Sequence, residues 1–384
     1  MDAAGPSSVD VTSVHTRRQW REFLRIAGQI NGADPAWIAP LQFERRRQWS
    51  ARHPWFDHAR ARAWIAHRDG QAVGCISAQI DDLHERTWGE RLGYFGQLEG
   101  IDDPAVFQAL FDAAGEWLAS QGMDIMRGPY DLSVNQACGL LVDGFETPPM
   151  LMMGHVQPYY GAHVEAAGMQ PAMDLLAYHM APDFDAPPAM KLVLRRFARR
   201  LRVRAVDMRR FDEEIDLIRD IFNDAWSSNW SFVPVTREEF RHMGRDIKPM
   251  IRPEYIQIAE IDGEPAAFLV VLPNLNELIR DLDGRLLPFG WARLLWRLWR
   301  RKATTARVPL MGVRQAWQGG TLGSALAFSV IEETRHHVHK DGIRDVEMSW
   351  ILEDNKGMRS ILEALGGEVY KRYRIYERRL SDNA

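Results

Sequence analysis

Apolar residues after Thr16 recur at helical spacing, at Trp20, Phe23, Leu24 and Ala27. This predicts an amphipathic helix with Thr16 as its cap, behind a short first strand over 9–14. Pro40 precedes a second, arginine-rich helix. Residues 63–67 and 72–80 predict a hairpin turned by Asp69-Gly70, followed by a strand over 92–98. Pro104 stands where a first helical residue belongs. Phe107, Leu110, Phe111, Ala114, Trp117 and Leu118 form the buried stripe of the helix it opens. Strands over 124–126 and 174–180 complete the first half, the latter closing its sheet.

A proline-rich stretch, 181–190, interrupts the pattern, and 191–204 carries seven basic residues beside a narrow apolar stripe of Leu194, Phe197 and Leu201. It reads as a solvated connecting helix or as a surface for anionic lipid. The element order then starts again. It runs through a strand at 203–208, a helix at 213–226, and a helix behind the capping box of Thr236 and Glu239. A hairpin follows across Asp262-Gly263, then strands over 308–313, 345–352 and 369–377, with a helix at 355–365 ending on Gly366-Gly367. Repetition of one order over about 180 residues predicts two tandem α/β domains with mixed sheets. Their bounds are 1–180 and 203–384, joined by a linker at 181–202, with an insertion at 285–302.

The stretch Arg307 to Lys340 holds the most specific signal. An apolar strand leads through Arg314 into the turn Gln318-Gly319-Gly320-Thr321-Leu322-Gly323, and a helix follows from Ser324, with Leu326, Val330 and Ile331 on one face. Such a turn can point several main-chain N–H groups at one anion, at the positive end of a helix dipole. The expected ligand is a phosphate or pyrophosphate. Gly-Lys-Ser/Thr and G-x-G-x-x-G are both missing, which excludes a P-loop and leaves a dinucleotide fingerprint unsupported.

Composition narrows the class. Charged residues make up 26% and the net charge is −4, which does not suggest a nucleic-acid binder. Cys75 and Cys138 have neither metal nor disulfide spacing and read as buried thiols. His336, His337 and His339 read as a solvated helix end rather than a metal site. The start of the chain lacks a basic-then-apolar leader, and no apolar run is long enough to span a bilayer. The expected location is cytoplasmic.

The glycine turn resembles the pyrophosphate loop of the GCN5-related N-acetyltransferase (GNAT) superfamily, Gln/Arg-x-x-Gly-x-Gly/Ala. Gln318 and Gly323 match its ends, and Thr321 replaces its inner glycine. The whole chain is similar to bacterial tandem-GNAT proteins. The residues that carry this run from Arg127-Gly128-Pro129 through 138–145 to Thr147-Pro148-Pro149 and Pro158-Tyr159-Tyr160. In the second half they are 349–355 and Gly366-Gly367 through 373–376. The bacterial ceramide synthases look like members of this group. The resemblance therefore implies an N-acyltransferase with acyl-CoA as co-substrate and no permanently bound cofactor or metal. Its acceptor would be the primary amine of a sphingoid base. It implies coenzyme contacts at Gly312, Val313, Arg314, Gln318, Gly319, Gly320, Thr321, Leu322, Gly323, Ser324 and Asn355. Main-chain N–H groups of about 312–314 would stabilise the oxyanion.

An alkylamine with pKa near 10.4 is mostly protonated at neutral pH, so a base or relay is needed. Glu353, with Asp354 beside it, is a candidate base. Tyr373, then Tyr370, are candidates to protonate the departing thiolate; each is otherwise a strand-packing residue. Asn135 occupies the place in the first half that matches Asn355. With Tyr159 and Tyr160 it either shapes an acceptor pocket or holds the domain interface. Asp102 and Asp103 in the first half would repel a pyrophosphate, so the coenzyme is expected in the second half alone.

Two features favour a lipid acceptor. Trp291, Leu294, Leu295, Leu298 and Trp299 lie on one helical face, with Arg293, Arg297, Arg300 and Arg301 opposite. The insertion holds six basic residues and no acid, which describes an interfacial helix and makes a membrane surface the expected partner. The alternative is a helix packed on its domain. The methionine-rich stretch 149–153 lines a greasy channel or fills a core. Rival readings are a Fem-like aminoacyl transferase and a non-catalytic acyl-CoA or lipid-binding protein.

Overall fold

A computed structural model of the chain describes residues 8–300 and 302–380. It contains two compact units: unit 1 holds Met1–Leu175, Leu282–Arg285 and Lys371–Ala384, and unit 2 holds Leu176–Asp281 and Leu286–Tyr370. The first half of the chain runs β1 (Asp10–Ser13), α1 (Arg17–Asn31), α2 (Gln42–Gln48), β2 (Ala59–Arg68), β3 (Gln71–Asp81), α3 (Asp82–Trp88), β4 (Leu92–Gly100), α4 (Pro104–Ser120), β5 (Ile125–Gly128), β6 (Leu140–Asp143), α5 (Tyr160–Ala166) and β7 (Gln170–Met180). The second half runs α6 (Pro188–Phe197), β8 (Leu201–Ala205), α7 (Phe211–Trp226), α8 (Arg237–Ile247), β9 (Ile256–Ile261), β10 (Glu264–Pro273), α9 (Leu275–Ile279), α10 (Gly290–Trp299), β11 (Thr305–Val313), α11 (Gly320–Lys340), β12 (Asp345–Leu352), α12 (Lys356–Ala364) and β13 (Glu368–Arg379).

Local chemistry sets these boundaries. Thr16 and Gln19 form a capping box at α1, as Thr236 and Glu239 do at α8. Both hairpins turn on an Asp-Gly pair with positive φ at each residue, 51° and 76° at Asp69-Gly70 and 52° and 88° at Asp262-Gly263. That is the turn whose twist matches the strands it joins. The stretch 191–204 is not one helix. α6 stops at Phe197 and β8 begins at Leu201, where side chains alternate and Arg204 reaches Glu260 at 2.7 Å and Glu214 at 2.9 Å. The helix after the glycine turn starts at Gly320 rather than Ser324, so most of the turn is already its first turn.

In unit 1 the strands lie in the order β1-β2-β3-β4-β5-β13, with β6 also against β13. The first four are antiparallel, and β4 and β5 are parallel across the crossover helix α4. In unit 2 the order is β7-β12-β11-β10-β9-β8. Here too an antiparallel run leads to one parallel step, β11 to β12, across α11. The neighbour of β5 is therefore β13 from the end of the chain, and the neighbour of β12 is β7 from its middle. The expectation that 174–180 closes the first-half sheet is corrected. An open edge offers main-chain N–H and C=O groups to any strand, so side chains must select the partner. In unit 1 Asp174 accepts from Arg372 and Arg374, each at 2.7 Å. Arg127 meets Glu377 at 2.8 Å, and Lys371 donates to the carbonyls of Gly144 and Thr147.

The core of unit 1 is the predicted stripe of α4, with Phe107, Leu110, Phe111, Ala114 and Leu118 buried against Ile76, Ala78, Ile80 and Phe95. Met150 and Met153 are also buried. In unit 2, β10 is apolar on both faces over Ala266–Leu272, and α11 buries Ala325, Leu326 and Val330.

Candidate active site

β11 and β12 separate partway along. They pair from Thr305 and Asp345 to Val308 and Met348, and no further. Pro309 follows Val308 and has no N–H to continue the ladder. β11 instead goes on with β10 alone, through Val313 opposite Ala267. The direction of its main-chain groups follows from two hydrogen bonds. Arg314 N–H donates to Ala266 C=O at 2.8 Å, so Arg314 and, two residues back, Gly312 face β10. Met311 C=O accepts from Trp226 Nε1 at 2.9 Å and Val313 C=O from Gln318 Nε2 at 2.8 Å, both on the opposite side. A strand residue's N–H and C=O point the same way, so the Met311 and Val313 N–H groups line the opening. Of the donors expected over about 312–314, Val313 lines the opening, whereas Gly312 and Arg314 face β10 and Met311 supplies the second donor. Gly312 is needed for packing: a Cβ there would meet Phe268 at 2.9 Å and Ala225 at 3.0 Å.

The glycine turn sits just beyond. Its anchors are Gln315 N–H on Asp224 at 2.8 Å and the Gln318 side chain, which also donates to Ala225 C=O at 3.0 Å. Gln318 therefore holds the turn rather than facing a ligand. Gly319 and Gly320 adopt φ of 77° and 63°, and a Cβ on either would have open space around it. α11 starts there without any side-chain cap. The first N–H groups of α11, from Gly320 through Leu322, have no intrahelical acceptor. Gly323 is where a side chain cannot go, since a Cβ would lie 2.5 Å from Trp317 C=O. Thr321 and Ser324 lie in the first turns, with Thr321 exposed, Leu322 half-buried and the Ser324 hydroxyl on Gly320 C=O at 3.1 Å. An exposed Thr321 leaves the turn's backbone intact.

Below the opening lies a buried polar network that sequence reasoning missed. Arg307 and Glu347 face each other in the β11–β12 register, both fully buried, 3.4 Å apart. Ser349 links them, accepting from Arg307 Nε at 2.7 Å and donating to Glu347 at 2.6 Å. Arg307 also stacks on Trp350 at 4.5 Å. The Tyr370 hydroxyl donates to the other oxygen of Glu347, and its ring lies 4.8 Å from that of His179. A glutamate and an arginine on neighbouring strands were the available signal.

The remaining predicted residues separate. Asn355 caps α12, accepting from Met358 N–H at 3.1 Å. Glu353 and Asp354 are exposed in the turn before it. Tyr373 belongs to unit 1, fully buried opposite Leu141 and packed on Gly139. Asn135, also in unit 1, is followed by no helix, so its likeness to Asn355 does not extend to structure. Tyr159 donates to Gly100 C=O at 2.8 Å and Tyr160 to Glu99 at 2.9 Å, pinning the end of β4. At the matching helix start in unit 1, Asp103 caps α4 by accepting from Ala105 N–H, and Pro104 removes another donor. His336 and His337 pair with Glu332 and Glu333 one turn back, and no cluster among the described residues could hold a metal ion.

α10 turns its apolar side outward. None of its residues is buried; Trp291 is 50% and Trp299 75% exposed, with Leu295 and Trp296 also exposed. The protein-facing side carries Arg297, which donates to Leu278 C=O and Asp281, joined there by Arg293. Arg297 beside Asp281 holds that carboxyl down to about 2. Arg300 lies over Trp299 and Lys302 over Trp296, and Arg301 is outside the described residues. No helix among the described residues is long and apolar enough to cross a membrane.

No protein-family model matches the chain. Among solved structures it is similar to a tandem GNAT protein from the clavulanic acid biosynthesis pathway, with a TM-score of 0.55 at 13% identity over 98% of this chain and 100% of that one. It is also similar to a GCN5-related N-acetyltransferase from Sphaerobacter thermophilus, at 0.52 and 13% over 97% and 96%. These likenesses establish the fold. In sequence it is 46% identical to Protein YghO of Escherichia coli over 94% of this chain and 93% of that protein. It is 43% identical to the bacterial ceramide synthase of Caulobacter vibrioides over 97% and 98%. At that identity and coverage the chain belongs to the family of these two relatives, and it is an N-acyltransferase with the fold of the tandem GNAT proteins.

Proposed function

We propose that this enzyme moves a long acyl chain from acyl-CoA to the primary amine of a sphingoid base, working peripherally at the cytoplasmic face of a membrane. The observation that carries the transfer chemistry is the open edge of β11, where Met311 and Val313 turn two main-chain N–H groups away from β10. These donors suit the oxyanion that forms when the amine attacks the thioester carbon. The uncapped start of α11 suits the pyrophosphate, and the Asn355 side chain adds a polar contact to the coenzyme. As the C–N bond forms and the C–S bond breaks, the amine gives up a proton and the thiolate takes one. Tyr370 is assigned to that transfer, with Glu347 behind it as the proton's store. A thiol near pKa 8.5 is an easy partner for such a donor. Tyr373, buried in unit 1, is not assigned a chemical step.

Support for a lipid acceptor comes from the relative named for ceramide synthesis and from α10. A helix packed on its domain would bury Trp291 and Trp299, whereas here they face outward among arginines, as an interfacial helix requires. Release of free thiol from palmitoyl-CoA, followed with sphinganine, with a short alkylamine and with no amine, tests the reading. Release that requires sphinganine is expected. No release with any amine would overturn the transfer, and equal rates with acetyl-CoA and a short amine would overturn the lipid specificity.

A further inference from the structure

One face of the central strands in unit 1 is polar and inside the protein. Along β3, Cys75, Ser77, Gln79 and Asp81 alternate with Gly74, Ile76, Ala78 and Ile80, and all four are buried. The apolar positions pack under α4. The polar ones face the other way, where Cys75 donates to Gln97 C=O at 3.4 Å and the Gln79 amide donates to Tyr130 C=O at 2.6 Å. β4 adds Gln97 and Glu99, the loop after β5 adds Asp131, and α2 adds Arg45 and Gln48. Gln48 donates to Asp131 C=O at 3.4 Å.

This tract is not satisfied from within. Ser77 Oγ, Gln79 Oε1 and Arg45 Nε are buried with no hydrogen-bond partner among the described residues, and Ser77 and Gln79 are 0% exposed. Gln97, 5% exposed, lies beside the Asp131 carboxyl, yet neither atom of its amide makes a well-formed hydrogen bond. Glu99 takes both of its hydrogen bonds, from Asn31 and Tyr160, on the single oxygen Oε2. Burial pushes the carboxyls of Glu99 and Asp131 upward, and the Arg45 charge opposes this at both. Buried polar atoms without partners are rare, and a concentration of them calls for a water or a ligand. Gln97 sits at φ 47° inside a strand, beside an irregularity in its register with β3. Backbone held in that region gathers at functional sites. The fold itself does not require the tract, because β10 fills the same place in unit 2 with apolar side chains on both faces. Nor is the tract sealed: Arg45, Glu99 and Asp131 are only partly buried.

We propose that unit 1 holds a second binding site along this face of β3 and β4, and that it takes the ammonium-bearing polar head of an amino alcohol. Two carboxylates, Glu99 and Asp131, outnumber the one guanidinium of Arg45, which favours a cation. The Ser77 hydroxyl and the Gln79 and Gln97 amides provide donors and acceptors for hydroxyl groups. The choice of an amino alcohol rests on the acceptor proposed above; the site's existence rests on the unsatisfied atoms alone.

The test uses the full chain without acyl-CoA, with serinol (2-amino-1,3-propanediol) as the probe and glycerol and propylamine as partial mimics. Calorimetric titration and thermal unfolding are read on the wild type, Asp131→Asn and Glu99→Gln. Serinol should bind and raise the melting temperature of the wild type, with glycerol and propylamine each weaker. Either substitution should weaken serinol by about tenfold to a hundredfold, the range of a charge-assisted hydrogen bond. Neither should lower the melting temperature of the unliganded protein, because each removes a partly buried charge while keeping the shape. Three results would overturn the site: no serinol binding to the wild type, equal binding of glycerol, or serinol affinity unchanged in both variants. Palmitoyl-CoA affinity, measured on the same variants, should not change. Failure here thus leaves the acyl-transfer reading standing, and failure of thiol release leaves serinol binding to be judged separately.

Discussion

Gly323 and Thr321 occupy neighbouring positions with opposite tolerances. A Cβ at Gly323 meets the Trp317 carbonyl at 2.5 Å, whereas Thr321 already carries an exposed side chain in the helix. Gly323→Val should therefore displace the turn and weaken acyl-CoA binding by at least about tenfold, roughly 1.4 kcal/mol. Thr321→Gly should change it less than about threefold. Titration of both variants with palmitoyl-CoA checks the contrast. The two tyrosines separate in the same way. Tyr370→Phe keeps the ring beside His179 and removes the hydroxyl from Glu347, so kcat should fall by on the order of a hundredfold, as for loss of a positioned acid. Tyr373→Phe, in the core of unit 1, should leave kcat within a few-fold. A larger effect of Tyr373 than of Tyr370 would reverse the assignment.

At the scale of elements, β13 and α10 are held in unusual places by ion pairs. Burial pushes the Asp174 carboxyl up, but hydrogen bonds from Arg374 and Arg372 outweigh this and hold it below its ordinary value. Its folded pKa thus lies under the unfolded value of about 3.9, so the stability it adds is present above that pH and is lost as pH falls through the folded pKa. Asp174→Asn should lower the urea midpoint at pH 7, and the deficit should shrink below about pH 4. A deficit unchanged at low pH would mean that charge is not what fastens β13. For α10 the outward tryptophans predict that Trp291→Ser with Trp299→Ser weakens binding to anionic phosphatidylglycerol vesicles by at least roughly tenfold. Unchanged partition in a vesicle sedimentation assay would remove the interfacial role of the helix.

Across the molecule, local signals were readable and long-range ones were not. Thr16, Thr236, the two Asp-Gly hairpins and the strand–glycine turn–helix unit announce themselves through caps and φ requirements within a few residues. The partner of β5 depends on Glu377 meeting Arg127 from far along the chain, which alternation cannot reveal. Of the donors expected over 312–314 only Val313 faces the opening, and Met311 was missed, because strand direction is fixed by Trp226 and Ala266, distant in sequence. The hairpin strand over 72–80 was legible, but that its Ser77 and Gln79, and Asp81 just beyond, are buried is revealed only by the structure. Repetition of one element order was visible, whereas the specialisation of its copies lies in single residues: Asp103 caps α4, while α11 begins on glycines with no side-chain cap.

The central claim is that the acyl carrier is gripped by main-chain amides at the start of α11 and along the free edge of β11. Hydrogen–deuterium exchange with coenzyme A added reads those amides directly. Protection over 311–323, with none at the Asp103 cap of α4, is the predicted result; protection at 99–106 instead, or at neither place, would contradict it.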